Sequence, residues 1–441
     1  MLRQLSFQCV GPFEDLKLDL APRLNLFTGD NGLGKSLVLE VAWWALTGSW
    51  AGETMMPGRR WLQRESRLGF AADGDPTWML SPENRGAQPP GMHQLKAMYN
   101  QRFSRWHPEN YGEDDLRVMV AGLIVKADGS VAAWDPLKSH PEADHGFPGG
   151  ESTFGIVRTS NKGQTLLSAR ELWDGKREGD TVLCAGLIQD WTGWQRSHHP
   201  AFERLKAVIA ALSSPPEPMS PGEPMRVRME DRRDIPTIVL PYDTVPVTLA
   251  SAGMKRILGL AYAIVWAWTE HLETAKLLGE EPSKELVLIF DEVEAHLHPQ
   301  WQRSILPALI AVLEDLAPKV QVFASSHSPL VLASLEPHFD PERDALWKMD
   351  LVGGQVQVER DLWYRRGTAD RWLTSDVFDL ESARSLDAEE ALKLAKQAVK
   401  KPDLSVEELR AIHRRLQVSL GEADPFWPLW LDRAQRAGIE P

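Results

Sequence analysis

Apolar and polar residues alternate over the first thirty positions in three short runs, each with the two-residue period of a strand. They are Leu2-Arg3-Gln4-Leu5-Ser6-Phe7, Leu16-Lys17-Leu18-Asp19-Leu20 and Arg23-Leu24-Asn25-Leu26-Phe27-Thr28. A glycine-rich turn and a helix-like run from Lys35 to about Leu46 follow. Residues 66–80 and 117–136 also read as strands, the second holding a hairpin that turns at Ala127-Asp128-Gly129. The stretches 81–116 and 135–180, rich in Pro, Gly, His and charge, read as loops or insertions. Residues 183–213 read as helical, and a Pro-rich linker runs on to about Pro236. Then come a strand at 237–240, a long apolar helix at 251–278, a fully apolar strand at 286–290, a helix from Pro299 to about Leu316 and a strand at 320–324. Continuous apolar strands alternating with helices predict a buried, largely parallel sheet. From 385 the pattern changes to two charged amphipathic helices, about 387–400 and 406–419, the second opened by the capping box Ser405-Val406-Glu407-Glu408.

Composition narrows the class. With 441 residues, 43% of them hydrophobic, the chain has enough apolar surface for a core and suggests two or three domains, or one large domain with insertions. The longest apolar run, 257–268, is too short to cross a bilayer, and the first residues lack a basic-then-apolar leader. A cytoplasmic protein without a membrane partner is therefore expected. Cys9 and Cys184 alone exclude a disulfide framework and a cysteine-rich zinc site. A formal net charge of −13 argues against a uniformly basic nucleic-acid coat and leaves room for a local basic groove.

Candidate chemistry begins with Gly29-Asp30-Asn31-Gly32-Leu33-Gly34-Lys35-Ser36, which matches G-x-x-x-x-G-K-[ST] between a strand and a helix. Glycines let backbone N–H groups turn inward around phosphate oxygens, and the helix beginning at Lys35 points its positive end at them. Lys35 would reach the β and γ phosphates of ATP and Ser36 would ligate Mg²⁺. The apolar strand 286–290 ends in Asp291-Glu292, where ligands bind in sheets of this kind. Asp291 would hold Mg²⁺, directly or through water, and Glu292 would polarise the attacking water as general base. His296 and His298 follow, without partners at metal-ligand spacing. They read as a turn carrying polar groups toward a dimer partner. One strand later, His327 in Ser325-Ser326-His327-Ser328-Pro329 is placed to reach a γ-phosphate. Leu249-Ala250-Ser251-Ala252-Gly253-Met254-Lys255-Arg256 opens the long helix. It reads equally as an anion-binding end or as an ordinary cap with a packing glycine.

Taken together, these residues resemble the ABC-type ATPase heads of the SMC, RecF and OLD (overcoming lysogenization defect) group, strongly over 1–50 and 237–340. The features carrying the likeness are Val10-Gly11-Pro12-Phe13, the 29–36 loop, a degenerate signature at 251–255, Asp291-Glu292-Val293-Glu294-Ala295-His296-Leu297-His298-Pro299 and the serine–histidine switch. The resemblance implies a P-loop NTPase of ABC-ATPase type in the α/β class. It would have a largely parallel core sheet, an antiparallel β lobe, a helical insertion and a C-terminal helical hairpin. It also implies a homodimer, or a higher oligomer, in which two heads sandwich two nucleotides, Ser251 and Gly253 act in trans and His327 is the switch histidine. The signature reads Ser-Ala-Gly-Met-Lys rather than Ser-Gly-Gly-Gln, and Gln63 and Gln189 are both candidates for the Q-loop. The region after 340 lacks a nuclease-like carboxylate cluster and resembles stand-alone ATPases of anti-phage systems of the Septu and retron types, where a separate nuclease or toxin is the effector.

The expected organisation is an ATPase core at 1–50 and 237–340, a β lobe with loop insertions at 51–182, a helical segment and linker at 183–236, and a C-terminal interaction region at 341–441. The expected function is an ATP-hydrolysing dimeric switch controlling an effector. The alternative is a RecF-like repair or recombination ATPase that touches DNA directly through basic residues at 59–64 and 226–233. A transporter subunit is disfavoured by the insertions and the charged tail. Asp424-Pro425-Phe426-Trp427-Pro428-Leu429-Trp430-Leu431 offers an aromatic cluster that either docks a partner or pins the terminus.

Overall fold

A computed structural model describes residues 1–58, 61, 64–73, 92–100, 105–108, 120–139, 163–214, 217–401 and 404–439. Gln63, the expected strand positions 74–80 and 117–119, and most of the two loop stretches lie outside these residues. The chain divides into two compact units, Met1–Arg365 and Arg366–Pro441.

The first unit is mixed α/β. Its larger sheet has eight strands in the order β18 (Gln355–Asp361), β17 (Asp344–Val352), β3 (Leu24–Gly29), β16 (Lys319–Ser325), β15 (Glu285–Phe290), β7 (Ala121–Val125), β8 (Val131–Trp134), β9 (Gln164–Leu167). The five from β17 to β7 run parallel, and antiparallel strands close both edges. An antiparallel sheet of β1 (Leu2–Val10), β2 (Phe13–Asp19), β4 (Arg67–Asp73), β5 (Met92–Asn100) and β6 (Arg105–Pro108) runs in the order β2-β1-β4-β5-β6.

Between the two sheets lies helix α1 (Lys35–Thr47), whose Val38, Val41, Ala42 and Trp43 share one core with Phe7 and Leu18 on one side and Val287, Ile289 and Phe323 on the other. Helices α5 (Ala252–Leu278) and α7 (Ile305–Leu316) cover the opposite face of the larger sheet, against Leu286 and Leu288. Strand β15 is thus apolar from Leu286 to Phe290 because both its faces are buried there. The buried Gln321 of β16 joins the sheets, accepting from the Leu2 N–H and donating to the Leu2 and Ala21 carbonyls.

Several expectations change. Two strands, β5 and β6, lie in the stretch read as loop. Ala97 and Tyr99 do alternate inward on β5, but the Pro/Gly-rich flank hides the period. The second loop stretch holds β9, α2 (Ala169–Asp174) and β10 (Lys176–Glu178), which pairs with β11 (Thr181–Cys184). The single helical segment expected at 183–213 is α3 (Leu187–Ser197) and α4 (Pro200–Leu212), parted by left-handed His198 and the turn into Pro200. The expected linker contains β12 (Ser220–Arg226), an edge strand whose two prolines suit an unpaired side. It pairs with β13 (Asp234–Val239), which pairs with β14 (Thr244–Pro246). The helix from Pro299 breaks into α6 (Pro299–Gln302) and α7, and α8 (Pro329–Leu335) follows β16. The lobe and core interleave: β1 and β2 belong to the antiparallel sheet, while β7 to β9 extend the larger one. Strands β17 and β18 carry the first unit past 341 to Arg365.

The second unit holds α9 (Ala369–Leu373), α10 (Leu386–Lys400), α11 (Val406–Ser419) and α12 (Trp427–Arg436). The expected stripe Ala388, Ala391, Leu392, Ala395, Ala398 is buried against Leu409, Leu416 and Trp430. Trp430 is fully buried and donates its indole N–H to His413 Nδ1 at 3.0 Å, so part of the aromatic cluster pins the terminus within this unit.

Candidate functional site

In parallel register, β3, β16 and β15 end side by side, so the loops after them share one edge of the sheet. The loop after β3 contains Gly29, Asn31, Gly32, Gly34, Lys35 and Ser36. Gly29 sits at φ +134 with its Cα against Met349, where a Cβ would lie 2.2 Å from the carbonyl oxygen. Gly34, at φ +103, caps α1. Both positions require glycine. Asn31, Gly32 and Ser36 are accessible, whereas Lys35 is buried and donates from Nζ to the carbonyls of Gly29 (2.9 Å) and Asp30 (2.7 Å). Burial lowers the Lys35 pKa, opposed by the charges of Asp291, Glu292, Asp30 and Glu294.

Asp291 and Glu292 follow β15 on that edge. Ser325, the last residue of β16, donates its hydroxyl to Asp291 Oδ1 at 2.6 Å and accepts from the Glu292 N–H at 2.8 Å. One side chain thus fixes both acids. Glu292 takes a left-handed backbone, φ +51, a conformation that costs a non-glycine residue about 1–3 kcal/mol and clusters at functional sites. His327 lies partly buried just beyond Ser325, its pKa lowered by burial and then by the Lys35 charge, against the pull of Glu294, Glu292 and Asp30. The structure therefore brings the 29–36 loop, Asp291, Glu292 and His327 together.

Ser251 caps α5, accepting from the Met254 N–H at 3.3 Å. Gly253 lies against the turn after the acids, where a Cβ would meet the His296 carbonyl and the Trp301 ring at 3.3 Å each. Among the described residues no hydrogen bond joins Ser251 or Gly253 to the 29–36 loop of the same chain. His298 caps α6, and no group of three His, Cys, Asp or Glu suited to a metal occurs among the described residues. Gln189 is exposed on α3. In the basic stretches, Arg226 donates to the carbonyls of Arg228 and Asp231, Arg233 pairs with Asp231 and Asp174, and Arg64 pairs with Glu14. These guanidiniums are engaged within their own surroundings.

Three residues of the site have a role that the sequence does not assign, although two of them lie inside its motifs. They are Ser325, Glu294, which accepts from the His327 N–H, and Gln302, which accepts from Ser328 Oγ at 2.7 Å. Their partners lie on neighbouring strand ends rather than nearby in sequence.

The comparisons with known proteins fall on these segments. Residues 228–333 match a family model described as "AAA domain, putative AbiEii toxin, Type IV TA system", and residues 4–77 match one described as "AAA domain". Over 49 residues the chain is 41% identical to the retron Vc95 probable ATPase of Vibrio cholerae serotype O1 biovar El Tor, 11% of this chain and 9% of that one. Over 85 residues it is 39% identical to Septu protein PtuA of Bacillus mycoides (strain KBAB4), 19% of this chain and 10% of that one. The chain spans about a tenth of the length of the curated relatives it matches. Among solved structures, the SMC head domain from Thermotoga maritima covers 82% of this chain and 99% of its own, with TM-score 0.37 and 14% identity. ATP-bound RecF covers 81% and 97%, with TM-score 0.38 and 12% identity. Both superpositions are too loose to place a residue. No helix among the described residues is long and apolar enough to cross a membrane. The two matched segments meet in one sheet, residues 4–77 supplying β3 and residues 228–333 supplying β15 and β16, and both matches are to AAA domains.

Proposed function

We propose that the chain binds and hydrolyses ATP as a dimeric switch, and that it controls a separate effector, a nuclease or toxin, in bacterial defence against phage. The observation that supports this most is the convergence of the 29–36 loop, Asp291, Glu292 and His327 on three adjacent strand ends. In the proposed mechanism Lys35 exchanges its two loop carbonyls for phosphate oxygens. Glu292 takes the proton of the attacking water, and His327 donates to the γ-phosphate. Ser36 and Asp291 are hard oxygen donors suited to Mg²⁺, which takes one or two protein ligands beside phosphate oxygens. Bound there, the ion would neutralise charge building on those oxygens. Ser251 and Gly253, at the exposed start of α5, would meet the nucleotide held by a second copy. The effector and the defence role rest on the short matches to the retron and Septu proteins.

The test is Glu292→Gln, which keeps the shape and removes the base. ATP should still bind while hydrolysis falls by about 10²–10⁴-fold, the usual order for losing a general base. Hydrolysis at the native rate would refute the assignment.

A further inference from the structure

We propose that Glu294 is a positioning residue for hydrolysis, acting through the loop that carries His327; the inference rests on the ATPase reading above. The turn after β15 and the loop after β16 are laced at three points. Ser325 holds Asp291 and the Glu292 N–H, Ser328 Oγ donates to Gln302, and the His327 N–H donates to Glu294 Oε1. Of the last two, only the link to Glu294 reaches the histidine itself.

The placement of Glu294 follows from the backbone. Glu292, at φ +51, turns the chain out of the strand, and two successive turns close when the Ala295 N–H bonds the Glu292 carbonyl (2.9 Å) and the Leu297 N–H bonds the Glu294 carbonyl (2.9 Å). Glu294 therefore leans back across the site rather than out to solvent. Its Oε1 accepts from the His327 N–H, and its Oε2 is buried with no hydrogen-bond partner, so the side chain is held inside the site by that one link.

The fold does not depend on it. The His327 loop is held independently by the Ser326 N–H to the Phe27 carbonyl (3.0 Å), the Ser328 N–H to Ser326 Oγ (3.0 Å) and Ser328 to Gln302. Removing Glu294 frees the His327 backbone locally and leaves the loop attached at its flanks.

The experiment measures kcat and KM for ATP hydrolysis, and ATP binding, for the full chain and for Glu294→Ala, Glu294→Gln, His327→Ala and the double variant Glu294→Ala/His327→Ala. Glu294→Ala should lower kcat by about 10²-fold, the order for a displaced reacting group, with KM and the melting midpoint near native. Glu294→Gln, whose amide oxygen can still accept from the His327 N–H, should recover most of the rate. The double variant should be no slower than His327→Ala, because one residue acts through the other. Additive losses in the double variant, a native kcat for Glu294→Ala, or a glutamine variant as slow as the alanine one would each overturn the positioning role. If Glu294→Ala does not fold, Glu294→Asp, whose carboxylate falls one methylene short of the His327 N–H, takes its place, alone and combined with His327→Ala. A native chain that does not hydrolyse ATP overturns the ATPase reading together with this one. Native hydrolysis unaffected by Glu294→Ala overturns this inference alone.

Discussion

The edge of the larger sheet and the C-terminal helical unit use buried polar groups in opposite ways. At the sheet edge a lysine is desolvated among its own loop carbonyls, a glutamate sits in a left-handed backbone, and a second glutamate keeps an unpartnered oxygen. In the helical unit, α11 starts with a complete capping box, α10 starts with Ser385 accepting from the Ala388 N–H, and His413 and Trp430 bond each other inside an alanine- and leucine-rich core. The helical unit has strain of the same kinds, Asp379 at φ +51 and the unpartnered Nε2 of His413, but at the sheet edge it falls on adjoining strand ends, on the residues proposed to meet a nucleotide.

Breaking the helical unit should have the largest effect. It spans roughly 76 residues, and a core of that size supplies no more than about 3–5 kcal/mol. Trp430→Ala removes one of its two fully buried tryptophans and the donor that bonds His413 Nδ1, a loss of about 3–5 kcal/mol. Residues 366–439 should then lose hydrogen-exchange protection while β3, β15 and β16 keep theirs. Retained protection in α10 and α11 would contradict this.

At the sheet edge, the matching change should reduce activity and spare the fold. Ser325→Ala leaves Asp291 Oδ1 and the Glu292 N–H without their partner, at about 1–3 kcal/mol for orphaned polar groups. Hydrolysis should drop about 10- to 100-fold with the circular dichroism spectrum unchanged. A variant that kept full activity would show that Ser325 does not position the acids.

The smallest effect should come from pH. Burial lowers the His413 pKa below its ordinary value, and its Nδ1 must stay unprotonated to accept from Trp430. The unfolded chain therefore binds the proton more readily. The helical unit should hold its full stability above about pH 6.5, the ordinary imidazole value, and lose it progressively as pH falls toward the lower folded value. Denaturant titrations of the unit at pH 7.5 and 5.5 would read this, and a gain in stability on acidification would exclude it.

What the sequence discloses follows the range of the interactions. The 29–36 loop is legible because the demands on Gly29, Gly34 and Lys35 are contiguous, and Asp291-Glu292 because an apolar run points to it. The stripe of α10 is legible for the same local reason. Ser325, Glu294 and Gln302 are not, because their partners lie 26 to 34 residues away and only the sheet brings them together. Strand β12 escapes because Pro221 and Pro224 signal a linker and are tolerated only at an edge. The membership of β1 and β2 in the antiparallel sheet depends on pairing with β4, across the α1 helix that parts them in sequence.

The place of β3 between β16 and β17 has a consequence in time. The strand that leads into the 29–36 loop is made long before its two neighbours, which begin at Lys319 and Asp344. At ordinary translation speeds of about 5–20 residues per second, it waits roughly a quarter of a minute to a full minute for both. Through that interval Leu24, Leu26 and Phe27 sit on a strand with two open edges, a template for pairing with any other nascent chain. A cell making this protein must shelter this strand until both neighbours emerge, and slow or crowded synthesis should aggregate it before the sheet has formed.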